Sequence, residues 1–171
     1  ALVHELSGGR IPHWFNEGLA EYQEAKYAGA KGSMGLLKST LENDQLPGWN
    51  QIEGLFRGRD TRLVTLGYDQ SHSVVAYLAQ RYGFRHMPQL LKQMAQGMSF
   101  EEALKKEFVS PAERLERDWK RWLPRFFRWY NFSLIESVGA AYGCFSCSDV
   151  AVTISFVESV YLINEQDISL L

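Results

Sequence analysis

The sequence predicts a mainly α protein, with a helical region over residues 1–130 and a tail of different character over 131–171. Three observations carry that expectation. Val74, Val75, Leu78 and Tyr82 recur at spacings of three and four, the period of a helix with one buried face. Ser99 and Ser110 each stand three residues ahead of a glutamate, Glu102 and Glu113, the pattern of a reciprocal N-terminal cap. Glycine and proline fall between the periodic stretches and punctuate them.

Taken in order, Ala1 to Leu6 reads as the last turns of a helix that Gly8 and Gly9 close, since glycine takes the left-handed conformation at a helix C-terminus. Pro12 suits the first turn of a second helix through about Ala28, where its missing N–H has no partner to lose. The glycine-rich AGAKGSMG at 28–35 is a loop, followed by a short helix near Leu36 to Glu42, a break at Leu46-Pro47-Gly48 and another short helix near Asn50 to Phe56. RGRDTR at 57–62 reads as polar loop. A helix is expected from Thr65 to Tyr82, ended by Gly83, and another from Pro88 to Gln96, closed by Gly97. The last helix, opened at Ser110-Pro111, carries Leu115, Trp119, Trp122 and Leu123 on one face, an aromatic stripe of the kind that packs in a core. The tail segment DVAVTISFVESVYLI at 149–163 is β-branched and partly alternating, and reads as one or two strands.

At 171 residues with 46% apolar and 22% charged composition, the chain can bury one ordinary globular core. Its net charge of −2 is too small to imply nucleic acid or an anionic membrane as a partner. No uncharged apolar run reaches the roughly 18 residues a membrane helix needs, and no signal-peptide pattern stands at the start, so a soluble chain is expected. All 18 Lys and Arg residues precede Tyr130, while 131–171 holds five acidic residues and no basic one; this tail is expected to contribute little to the helical core. Cys144 and Cys147 form a CxxC there without a second metal-binding pair, which favours two ordinary thiols.

The four letters HELS at His4 to Ser7 begin like the zinc signature HExxH, in which two histidines at i and i+4 share one helix face and the glutamate between them is the general base. The residue four after His4 is Gly8, which has no side chain to ligate anything. The stronger signal is PHWFNEGLAEY at 12–22. It sets Glu17 and Glu21 four apart on one helix face among Trp14, Phe15, Leu19 and Tyr22. Either the two carboxylates form the solvated side of an amphipathic helix, or a metal compensates their burial.

PHWFNEGLAEY resembles the third-ligand motif of gluzincin metallopeptidases, the thermolysin and aminopeptidase N type, and above all the bacterial peptidase MA-like domains. That resemblance covers about residues 1–125 and implies the helical C-terminal part of a gluzincin catalytic domain that hydrolyses peptide or protein substrates with zinc. It implies Glu17 as the glutamate ligand and Glu21 as the carboxylate that orients a zinc histidine. By the same pattern the HExxH motif would end directly before Ala1, leaving His4 and Glu5 on the turn after it. GYDQSHSVVAYL at 67–78 is similar to the aminopeptidase N segment whose tyrosine hydrogen-bonds the oxyanion, which implies that role for Tyr68, with Gln70-Ser71 standing where the family has Lys-Gly. A packing or capping tyrosine fits the segment equally. His72 reads as a partly exposed histidine or as one facing the same cleft, and His13 and His86 receive no role. With one ligand of three, the chain by itself is expected to bind no zinc. The alternative reading is a non-enzymatic pseudoprotease or interaction module on the same scaffold.

Overall fold

The computed structural model describes residues 6–28 and 34–142, with residues 28, 129 and 131–142 described by their backbone alone. The chain divides into two units, Ala1–Leu134 and Ile135–Leu171. The first holds the core described below; of the second, only the helical backbone of 135–142 is described.

Among the described residues the protein is mainly α and contains no strand. After a helical end at residues 6–7, closed by Gly8 at φ 58° and Gly9 at φ 73°, the order is α1 (His13–Ala28), α2 (Gly35–Glu42), a 3-10 turn (Trp49–Gln51) that runs into α3 (Ile52–Leu55), α4 (Thr61–Tyr82), α5 (His86–Ala95), α6 (Phe100–Phe108) and α7 (Ala112–Tyr142). The expected strands at 149–163, the CxxC cysteines Cys144 and Cys147, and His4 and Glu5 lie outside the described residues. Helix α7 runs through residue 130, where the composition changes, and continues to Tyr142.

The helix ends show which local signals hold. Pro12 opens α1, its carbonyl accepting from the N–H groups of Phe15 and Asn16 at 3.1 Å. A cap from elsewhere in the chain completes this end: Glu53 on α3 accepts from the Trp14 N–H at 3.2 Å, placing a carboxylate at the positive end of the helix. Helix α4 begins at Thr61, four residues earlier than its apolar periodicity indicates, because Asp60 accepts from the Arg62 N–H at 2.9 Å and caps it. The Ser99 and Glu102 box forms as expected, with Glu102 accepting from the Ser99 N–H at 2.9 Å and Ser99 from the Glu102 N–H at 3.3 Å. The box expected of Ser110 and Glu113 does not form; the Pro111 carbonyl accepts from Arg114 and Leu115 instead.

Helix α4 is the axis of the domain. From Gln70 to Ala79 every residue is buried, including the polar run Gln70, Ser71, His72 and Ser73. Each of these four meets a different neighbour. Gln70 donates through Nε2 to the Pro47 carbonyl at 2.7 Å. Ser71 presents its backbone to Gly18 of α1. His72 lies among the rings of Tyr22, Phe126 and Tyr130. Ser73 accepts from the indole N–H of Trp119 on α7 at 3.2 Å and donates to the Gln70 carbonyl at 2.8 Å. Trp119 is fully buried and packs edge-on against Trp49, which in turn meets Trp14. Phe100 of α6 closes this aromatic column against Trp14 and Phe15.

Val109 ends α6 in the left-handed conformation at φ 51°, with its side chain 89% exposed. A β-branched residue is strained there and glycine is not. Val109→Gly is therefore expected to stabilise the fold by about 1 kcal/mol, read as a higher urea midpoint at unchanged slope. An unchanged or lower midpoint would show that the turn carries no such strain.

Candidate functional site

The site is set by how closely α1 approaches α4. A Cβ placed on Gly18 would lie 2.5 Å from the Ser71 carbonyl oxygen and 3.0 Å from a Val75 methyl. Real side chains do not come so near, so the two backbones can touch only because position 18 is glycine. Glu17 and Glu21 flank this contact on α1, and Tyr68 and Asp69 precede it by one turn on α4.

Glu17 is half-buried, its side chain 25% exposed, and it is only loosely engaged. Its Oε1 lies 3.6 Å from His13 Nε2 and accepts from Asn16 Nδ2 at a long 3.4 Å. The His13 ring meets Phe56 edge-on at 5.1 Å, and Phe56 meets the Tyr68 ring edge-on at 5.1 Å. Phe56 thus stands between the group holding Glu17 and the half-buried Tyr68. Glycine matters here too, since a Cβ at Gly67 would come within 3.0 Å of the Phe56 ring.

Glu21, one turn further along α1, is near enough to Asp69 of α4 to act on its charge. Burial, and then the negative charge of Glu21, push the Asp69 carboxyl up to about 6. Below about pH 6 Asp69 is therefore mostly protonated, which lowers the negative charge beside Glu21.

The structure links Glu17 to Tyr68 through His13 and Phe56, and brings Glu21 close enough to act on the charge of Asp69, the neighbour of Tyr68 on α4. It differs from the sequence reading at His72. That residue is 5% exposed, ringed by Tyr22, Phe126 and Tyr130, and burial pushes its imidazole down to about 4, so it is a neutral packing residue at pH 7. The sequence pattern could not show this, because two of the three rings come from α7. His13, Phe56 and Asp69 are contributors that sequence reasoning passed over. For His13 a signal existed, since it stands four residues before Glu17 at the start of the same helix. His86 Nδ1 meets Glu107 Oε1 at 2.7 Å, and Gln93 Nε2 donates to Glu107 Oε2 at 2.6 Å, a network that joins α5 to α6 away from the site.

Among the described residues no three His, Cys, Asp or Glu side chains stand together as a group able to hold a metal ion.

In comparison with known proteins, a family model described as the peptidase MA superfamily matches residues 2–125. No curated protein and no solved structure matches the chain.

Two outcomes follow from this geometry. Gly18→Ala, which in an unconstrained helix would stabilise by roughly 1 kcal/mol, is expected here to destabilise by about 1–3 kcal/mol through overpacking. Chemical denaturation reads the sign directly, and stabilisation would show that the helices can part without loss.

The second outcome is a pair of opposed pH dependences. The unfolded chain takes up a proton at His72 near pH 6.5, and the fold resists it down to about 4, so His72 removes stability as pH falls through that window. Asp69 takes its proton near 6 in the fold and near 3.8 unfolded, so it adds stability as pH falls from 6 toward 4. His72→Gln should therefore flatten the acid loss by on the order of 2 kcal/mol between pH 7 and 4, and Asp69→Asn should steepen it by on the order of 1 kcal/mol. Matching slopes for both variants and the parent would remove the assigned burial effects.

Proposed function

The chain belongs to the peptidase MA superfamily, and on that premise we propose that it is the part of a zinc-dependent metallopeptidase domain, of gluzincin type, that supplies the glutamate ligand and the oxyanion donor. The observation that carries this reading is the close α1 and α4 contact at Gly18, beside which His13 and Phe56 link Glu17 to Tyr68. The loose engagement of Glu17 supports it as well. A carboxylate with only a 3.4 Å and a 3.6 Å contact is available to a cation, whereas one committed to a buried ion pair would not be.

In this reading the two histidine ligands and the general base come from an HExxH helix that precedes Ala1 in the complete domain. Zinc, when bound, supplies Lewis acidity toward the scissile carbonyl and toward water. Glu17 contributes a negative charge and one oxygen donor to its hold. Glu21, one turn further along α1, fixes the orientation of a histidine ligand by accepting its second ring N–H. Asp69 beside it tempers the charge of that flank by holding a proton through mildly acidic pH. Tyr68 donates its phenolic hydrogen to the carbonyl oxygen as negative charge grows on it. Phe56 supports the Tyr68 ring edge-on. The substrate class is a peptide or protein.

Equilibrium dialysis of this chain alone should give substoichiometric zinc; a tight one-to-one complex would overturn the assignment of a single donor. In a chain carrying an HExxH helix before Ala1, Glu17→Ala is expected to abolish both metal retention and peptide hydrolysis. Tyr68→Phe should leave zinc bound and lower kcat by on the order of a hundredfold. A full rate in Tyr68→Phe would withdraw the oxyanion role. If the restored chain neither retained zinc nor cleaved peptides, the non-enzymatic module would be the better description.

A further inference from the structure

The net charge of the chain hides a local concentration. Along α7, Arg114, Arg117, Arg121, Arg125 and Arg128 follow one another at steps of three, four, four and three residues, and all five are exposed. At 100° per residue these positions share the crest opposite Leu115, Trp119, Leu123 and Phe126, which are buried. Every residue on that crest from 114 to 128 is an arginine. The stripe is about 21 Å long at 1.5 Å per residue.

A solvated helix face alternates its charges, because like charges three and four apart repel and opposite ones attract. This crest does not alternate. Asp118, at its edge, is the carboxylate that reaches it, 3.9 Å from Arg114 and 3.5 Å from Arg121. Glu116, on the flank, is engaged instead with Lys120 at 3.0 Å and with the Trp49 N–H at 3.0 Å. Five guanidinium groups held in line against their own repulsion fit an anionic partner that meets them together.

Neighbouring side chains narrow its class. An anionic membrane would need apolar residues to insert beside the charges, and the exposed large apolar residues among those described, Tyr27, Leu63 and Val109, are not on α7. A single-stranded nucleic acid would need exposed aromatic faces for stacking. Trp122, beside the crest, is instead stacked on Phe126 and donates its N–H to Gln80 at 2.8 Å. A narrow line of positive charges flanked by Glu113, Glu116 and Asp118 suits carboxylates in single file. We propose that the arginine crest of α7 is a docking strip for an extended acidic segment of a polypeptide. A strip of this length spans roughly six or seven extended residues, whose alternate side chains, about 6.6 Å apart, face arginines spaced by about 4.5–6 Å. The long arginine side chains take up the difference.

The test is fluorescence anisotropy with the full chain at low salt, using labelled octaglutamate, with octaglutamine as the uncharged control. Octaglutamate should bind and octaglutamine should not. The triple variant Arg117→Gln, Arg121→Gln, Arg125→Gln should weaken octaglutamate binding by about tenfold or more, with unchanged helical circular dichroism. The corresponding triple Arg→Lys variant should keep binding within a few fold, which ties the loss to charge. Loss in the lysine variant equal to that in the glutamine variant would assign the effect to a damaged helix and overturn the proposal. So would absence of octaglutamate binding, or tighter binding of a thymidine decamer or of phosphatidylglycerol vesicles than of octaglutamate.

Discussion

The contact between Gly18 and the Ser71 carbonyl is the constraint on which the rest of the domain depends. With no Cβ at position 18, α1 can lie against α4 at backbone distance. Glu17 and Glu21 come with α1, Tyr68 and Asp69 with α4. The tertiary cap from Glu53 to the Trp14 N–H fixes where α1 begins, and so fixes the rotation at which its carboxylates emerge. A methyl group at the crossing would open the helices and displace both flanks together.

Helix α4 satisfies this constraint with small and polar residues where a simple amphipathic helix would be apolar. Gln70, Ser71, His72 and Ser73 are all buried, and three of them are anchored by named partners: the Pro47 carbonyl, an aromatic enclosure and the Trp119 indole. The side-chain oxygens of Gln70 and Ser71 are buried without hydrogen-bond partners, which is unfavourable in isolation. Close packing around them offsets that penalty. The same logic explains why His72 is neutral. Its ring lies among Tyr22 of α1 and Phe126 and Tyr130 of α7, where burial disfavours the charged form.

Charge is distributed by segment as well as by residue. A net charge of −2 suggests an unremarkable surface, yet α7 presents five arginines in a row on its crest while the α1 and α4 contact gathers carboxylates. On the two proposals these regions take different partners, a cation at one and an anionic polypeptide at the other. Averaging over the chain cancels both.

By itself the sequence determined what neighbours in the chain decide. Helix periodicity, the glycine closures at Gly83 and Gly97, the Ser99 cap and the pairing of Glu17 with Glu21 on one face all depend on residues within a turn or two, and they were legible in the mainly α reading. The motif PHWFNEGLAEY carried the peptidase MA resemblance for the same reason, since its chemistry is written in one continuous helix. Tertiary structure alone decided what depends on residues far apart. His72 is buried by Phe126 and Tyr130 from α7, the α1 N-terminus is capped by Glu53, and Asp69 is raised by burial and then by Glu21. Even the arginine crest needed the fold, because spacing put five arginines on one face but only the burial of Trp119 and Leu123 turned that face outward. Periodicity is a local property of the backbone, whereas burial and electrostatic environment are summed over whatever the chain brings near.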